Sequence, residues 1–393
     1  MERQIFSNNR KISTRQIRRT MTLEMLGVSS LALPAFLAKT SGMDGIFALI
    51  LGAAGAACFL KLWKHFTGRQ NFFQALEGCR PAGQLAISFF YGGVFLGISA
   101  YILFLLTRVM REQLLNVKYE PLILLTLTAA GVFGVLKGIE SRVRIYEVLF
   151  WFLIAPLVMI LGLASVSVNP GYWTPVFAAE KTAFVKSAYV CFAFFSFSSL
   201  FLLFEPHCSK PGRAIKGVRA GLLIVLILDA AIYLILAGIF QTGLLSELSF
   251  PIITLMAVVK LPGEFFERQD AFMTAIWFFC LFSLYNSMLF YGKEMLQNGV
   301  RACLAGKGGR AESRQSGKGK ALTPDWRSGQ TGWVNSIWAC ACGAVILAAA
   351  VCFLRTEILA SGILKIFLQF IFPVIILLPI PVFLIGGRKE GGR

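Results

Sequence analysis

Acidic side chains are scarce in this chain, where 20 Asp and Glu stand against 38 Lys and Arg, and only two histidines occur in 393 residues. His65 and His207 both fall on connections between apolar segments. They offer no Ser/His/Asp or metal-holding arrangement, so neither an enzyme nor a cofactor is expected. The nine cysteines contain no CxxC pair. The nearest two, Cys340 and Cys342, sit two apart and point in divergent directions on a helix, so no disulfide or structural metal site is expected. The stretch GKGGRAESRQSGKGK has the composition of a phosphate loop without its GxxxxGK[ST] spacing. A net charge of +18 would suggest nucleic acid in a soluble protein. Here the basic residues sit on short connections between long apolar runs, which points to a lipid bilayer and to no nucleic-acid partner.

What is abundant is hydrocarbon: 56% of the residues are hydrophobic and only 15% charged. About ten segments approach the roughly 20 apolar residues that one helical span requires. They lie near 20–40, 43–63, 84–107, 121–137, 145–167, 184–204, 217–241, 269–292, 333–354 and 361–385. With the N-terminus inside, most Lys and Arg fall on inner connections, which sets the orientation. Cys79, Cys208 and Cys303 are then on inner loops. The basic start, residues 1–19, lacks a small-residue cleavage site and reads as a retained cytoplasmic tail, with residues 386–393 as a second one. Residues 244–267 read as an outer lid of short helices, and the Gly-, Ser- and Lys/Arg-rich residues 297–332 as a cytoplasmic loop. The inner connection HFTGRQNFFQALEGCRPAG, residues 65–83, alternates Phe72, Phe73 and Leu76 with polar residues and suggests an interfacial amphipathic helix.

Two spans carry residues that weaken a helix. The first, TMTLEMLGVSSLALPAFLAKT, has Gly27, Ser29, Ser30 and Pro34 in or near its middle; the sixth, FVKSAYVCFAFFSFSSLFLLF, crowds Ser196, Ser198 and Ser199 among phenylalanines. First and sixth of ten are corresponding positions in a five-plus-five inverted repeat, here residues 20–167 and 184–385. Such folds place a ligand between their broken helices, near the bilayer midplane. The expected fold is therefore an all-α polytopic membrane protein with discontinuous first and sixth helices. Asp229 lies mid-span, where an ionisable group is a functional candidate. Ser283, Asn286 and Ser287 in the eighth span suit an ion or polar site. Glu147, near a span end, is expected to snorkel or to pair with Arg144.

Several stretches together resemble the spore germination permease family, the B-type subunits of germinant receptors within the amino acid, polyamine and organocation transporter superfamily. They are ISTRQ leading into GVSSLALPAFLAKTSGMDG, then REQLL, GIESRVRIYEVL, FAFFSFSSLFLLFEP and LSFPIITLMAVVKLPGEFFERQDAF. The resemblance implies a leucine-transporter-like fold, a small-molecule germinant such as an amino acid, A-type and C-type receptor subunits as partners, and residence in the spore inner membrane. It places Gly27, Ser29 and Ser30 at the ligand's carboxylate end and Ser196 and Ser198 at its amino end. Phe195, Phe197 and Phe201 would then line an apolar pocket. The chain departs from the wider superfamily in having Ser196-Phe197-Ser198 where an acidic residue is common. The alternative reading is a proton- or sodium-coupled amino acid permease of the same fold.

Overall fold

The computed structural model describes residues 12–67, 72–113, 120–208, 213–258, 269–312, 332–355, 372–377, 379–380 and 382. Its elements are α1 (Thr14–Ser41), α2 (Gly45–Thr67), α3 (Phe72–Glu77), α4 (Pro81–Gln113), α5 (Glu120–Leu136), α6 (Gly138–Ser165) and α7 (Lys181–Ser196). A 3-10 helix, Phe197–His207, continues α7, and then come α8 (Ala214–Glu247), α9 (Pro251–Val258), α10 (Gln269–Glu312), α11 (Gly332–Arg355) and α12 (Phe372–Leu377). Seven helical stretches among the described residues are long and apolar enough to cross a membrane. The first of these, Thr14–Trp63, is α1 and α2 in succession, and α5 is a shorter apolar helix. The chain is an all-α polytopic membrane protein. Of the expected outer lid, α9 is a short helix and residues 259–268 lie outside the described residues. The expected loop at 297–332 begins later, because α10 runs on to Glu312, and Cys303 is therefore helical. The expected tenth span falls largely outside the described residues.

The chain divides into two compact units. The first comprises residues 1–69, 112–116 and 139–283, and so contains α1, α2, α6, α7, the 3-10 helix, α8, α9 and α10 up to Ser283. The second comprises residues 70–111, 117–138 and 284–393. Within the second unit, Ser99 Oγ donates to the Tyr285 carbonyl (3.1 Å), Asn286 Nδ2 to the Gly131 carbonyl (2.9 Å) and Tyr91 Oη to the Ile375 carbonyl (2.8 Å). These bonds join helices through backbone oxygens. The short helix α3 does not lay its aromatic face outward. Phe72 is buried and meets Tyr91 edge to face at 5.6 Å.

In the first unit, α1 begins with a capping box: Ser13 Oγ accepts from the Gln16 amide (3.2 Å) and Gln16 Oε1 accepts from the Ser13 amide (2.9 Å). The same Gln16 donates through Nε2 to Glu147 of α6 (2.9 Å). Arg15 (2.7 Å) and Arg19 (3.0 Å) also pair with Glu147, and the Arg19 guanidinium lies 5.6 Å from the ring centroids of both Phe150 and Trp151. The expected pairing of Glu147 with Arg144 is replaced, since Arg144 instead holds Glu140 at 2.5 Å. The i,i+4 step with Glu preceding Arg is a favourable helical pair, which leaves Glu147 to fasten α1 to α6.

The expected break in α1 is not there: the helix runs unbroken through Gly27 and Pro34. Ser29 Oγ (3.4 Å) and Ser30 Oγ (2.6 Å) bond back to the Leu26 carbonyl, so both hydroxyls are absorbed by the helix rather than loosening it. Pro34 removes one backbone bond, which by itself bends a helix more readily than it ends one. Gly42, at φ +52°, ends α1 before a 3-10 turn, Gly42–Asp44. Asp44 accepts from the amides of Phe177 (2.5 Å) and Ala179 (2.8 Å), and the Tyr233 hydroxyl donates to the Gly42 carbonyl.

The Glu147 cluster generates a graded prediction. Glu147→Ala strands three donors, and hydrogen bonds to a charged group are worth about 1.5–3 kcal/mol each, so thermal unfolding of the detergent-solubilised protein should shift clearly downward. Arg15→Ala removes a largely exposed partner (64%) and should cost less than about 1 kcal/mol. Equal shifts would show that the cluster is not the fastening described.

Candidate functional site

The site begins where α7 changes its winding. Residues Lys181–Ser196 are α-helical and residues Phe197–His207 continue as 3-10 helix for 11 residues. Runs of 3-10 helix beyond three or four residues are uncommon, and one in mid-span marks strain or a hinge. The Phe197 amide sits at the change, facing the carbonyls of Ala193, Phe194 and Phe195. With three residues per turn, Ser196 and Ser199 come to lie along one side of the segment. Ser196, Ser198 and Ser199 are all 0% exposed, and none of their hydroxyls has a hydrogen-bond partner among the described residues. This contrasts with Ser29 and Ser30, whose hydroxyls are spent inside the fold. Phe195 is fully buried beside them, while Phe197 and Phe201 are half-buried.

Asp229, midway along α8 and 4% exposed, faces α1: Ser29 Oγ donates to its Oδ1 at 2.8 Å. Its other oxygen, Oδ2, is buried without a hydrogen-bond partner among the described residues. Cys191 of α7 lies close to Asp229, so the carboxyl group belongs to the α1, α7 and α8 neighbourhood. Ser30 faces the other way and accepts from Trp277 Nε1 of α10 at 2.8 Å.

Gly27 serves close packing instead of an unwound segment. A Cβ built there would stand 2.7 Å from Cys280 Cβ and 3.2 Å from the Cys280 backbone carbon, so α1 and α10 approach as glycine alone allows. Gly52 plays the same part between α2 and α7, where a Cβ would meet Cys191 Cβ at 2.5 Å. The expected carboxylate contacts from Ser29 and Ser30 hydroxyls are therefore corrected, since both groups already have partners. The polar group of the eighth span is also divided: Ser283 belongs to the first unit, Asn286 and Ser287 to the second, and the Asn286 amide is engaged by Gly131.

Sequence reasoning missed Glu24. It is 0% exposed in α1, and its Oε1 accepts from Ser283 Oγ of α10 at 3.0 Å. The Tyr146 hydroxyl shares Ser283, and the buried Arg142 guanidinium lies within electrostatic reach of it, as does Glu24. A buried carboxylate and a buried guanidinium in one neighbourhood offset part of the desolvation that each incurs. The signal was available: the rule applied to Asp229, that an ionisable group inside a span is a functional candidate, applies equally to Glu24.

The model of the family described as spore germination protein matches residues 11–297, and the chain belongs to that family. Spore germination protein A2 of Bacillus subtilis (strain 168) is 24% identical over 270 residues, covering 67% of this chain and 74% of the relative. Spore germination protein YndE of the same organism is 22% identical over 293 residues, with 72% and 79% covered. Among solved structures, a substrate-bound, outward-open Na+-coupled sialic acid symporter superposes with a TM-score of 0.62 at 13% identity, covering 95% of this chain and 78% of the symporter. The fold is thus the leucine-transporter-like one. The chain is a germination-related, transporter-like integral membrane protein.

If Gly27 is a packing position, Gly27→Ala should destabilise the protein by about 1–3 kcal/mol, the usual range for overpacking. Removing the Cβ it strikes, in a Gly27→Ala/Cys280→Gly double variant, should restore part of that loss in a thermal unfolding assay. No rescue would place the importance of Gly27 elsewhere than at this helix contact.

Proposed function

We propose that the chain is the membrane subunit of a spore germinant receptor, lying in the spore inner membrane and passing a binding signal to A-type and C-type partner subunits. It binds a small germinant, an amino acid, beside the α-to-3-10 junction of the sixth span. The observation that carries this reading is the set of three buried serine hydroxyls without hydrogen-bond partners among the described residues. A buried hydroxyl left unmet costs about 1–3 kcal/mol, and a polar ligand offsets that cost. Ser196, Ser198 and Ser199 supply the hydroxyl contacts, and Phe195, Phe197 and Phe201 the apolar wall.

Sensing requires only that the ligand bind one of two conformations more tightly. The junction at Ser196 is the natural element to hold two conformations, because a 3-10 run of this length sits close in energy to other windings. The second reading, a proton- or sodium-coupled amino acid permease, is favoured by the likeness to a symporter fold. Both readings use the same binding residues and differ in whether net flux follows.

The reading expects a trade between stability and response. Replacing an unmet buried hydroxyl by a methyl removes its desolvation cost, so Ser198→Ala and Ser199→Ala should leave the ligand-free protein as stable or more stable by up to about 1–3 kcal/mol. The same variants should lose response to amino acids. Ser→Ala variants that lose stability and keep full response would place the ligand elsewhere. In proteoliposomes, a sensor binds an amino acid without concentrating it, whereas uptake driven by a proton or sodium gradient would favour the permease.

A further inference from the structure

We infer that Asp229 receives the cationic nitrogen of the ligand, so that the site selects small molecules by their ammonium group and accepts a carboxylate only secondarily. This rests on the ligand-binding reading above and fixes the charge that the ligand brings. An ionised carboxylate offers about four acceptor positions, and the protein fills one on Asp229, through Ser29. Oδ2 has no hydrogen-bond partner among the described residues, although the side chain is 4% exposed and midway along a membrane helix. In its ionised form a carboxylate so placed needs a counter-charge, and without one it takes up a proton.

Among the described residues, the surrounding helices do not supply one. The basic side chains of α1, α7 and α8, among them Arg19, Lys39, Lys186 and Arg219, lie near the helix ends, whereas Ser29 and Asp229 are central. Buried Arg142 is committed to the cluster with Tyr146 and Glu24. Glu24 and Ser29, five residues apart on α1, project about 140° from one another, so that cluster faces a different side of the helix. The titratable group next to Asp229 is Cys191, an acid that brings no positive charge. A ligand ammonium has three N–H donors. It can satisfy Oδ2 with one and place the others on hydroxyl or carbonyl oxygens, which accept. A carboxylate entering the same place would meet only hydroxyl and backbone donors beside a like charge.

The test uses the full-length protein purified in detergent, with binding read by calorimetry and by thermal shift. Probes are the standard L-amino acids, together with matched analogues lacking one charged group: ethylamine and propionate for L-alanine, isobutylamine and isovalerate for L-valine. The amines should bind, and the acids should bind at least about tenfold more weakly than the parent amino acid, the scale of one lost charged hydrogen bond. Asp229→Asn keeps an oxygen for Ser29, so the ligand-free melting temperature should hold or rise while amino acid affinity falls by about tenfold to a hundredfold. Affinity within about twofold of the unmodified protein in Asp229→Asn, or propionate and isovalerate binding as well as the amino acids, would overturn the inference and leave the binding reading standing. Sodium titrations add a further arm: if Asp229→Asn abolishes a sodium dependence and leaves amino acid affinity intact at saturating sodium, Asp229 is an ion site and the inference fails. If the unmodified protein binds neither amino acids nor amines, the ligand-binding reading itself falls and takes the inference with it.

Discussion

Inside a bilayer there is no water to take up a backbone amide or carbonyl, so each spanning segment must close its own hydrogen bonds. That constraint separates the two helices on which this fold turns. In α1, serines 29 and 30 bend their hydroxyls back to the Leu26 carbonyl and the helix stays whole. In the sixth span the chain instead tightens into 3-10 helix after Ser196, which keeps the backbone bonded but leaves its serine hydroxyls without partners among the described residues. Irregular winding at this depth is tolerated where it is enclosed by protein, and here the three serines are fully enclosed. The irregularity therefore comes together with a polar surface inside the protein.

The charged side chains follow the same logic by depth. At the start of α1, Glu147 gathers Gln16, Arg15 and Arg19 and fastens the first helix to α6. Deeper, Glu24 meets Ser283 in a neighbourhood that also holds Tyr146 and Arg142. Asp229, on another side of α1, is bonded to Ser29, and its Oδ2 has no hydrogen-bond partner among the described residues. Of these three carboxylates, Glu147 is paired with protein cations and Glu24 has the Arg142 guanidinium in its neighbourhood.

Much of the architecture was legible in the residues. Apolar runs of spanning length, the turn at Ser41–Asp44 and the serine-rich sixth span all correspond to elements of the structure. The first helix misled because glycine and serine have two uses in a membrane helix that composition does not distinguish. They can open the backbone, or, as Gly27 does against Cys280, they can bring two helices together. Glu24 escaped notice because a single carboxylate barely lowers the hydropathy of a 20-residue window. For Glu147 the sequence offered only snorkelling or the local partner Arg144, whereas its actual partners are more than a hundred residues away. The Ser29–Asp229 bond, joining positions 200 residues apart, was beyond reach for the same reason.

The central claim is that the α-to-3-10 junction of the sixth span is the ligand face. A cryo-electron microscopy map of the protein with a saturating amino acid tests it most directly. The expected result is ligand density within hydrogen-bond distance of the hydroxyls of Ser196, Ser198 or Ser199. Density lying elsewhere, with those three hydroxyls still enclosed by protein alone, would contradict it.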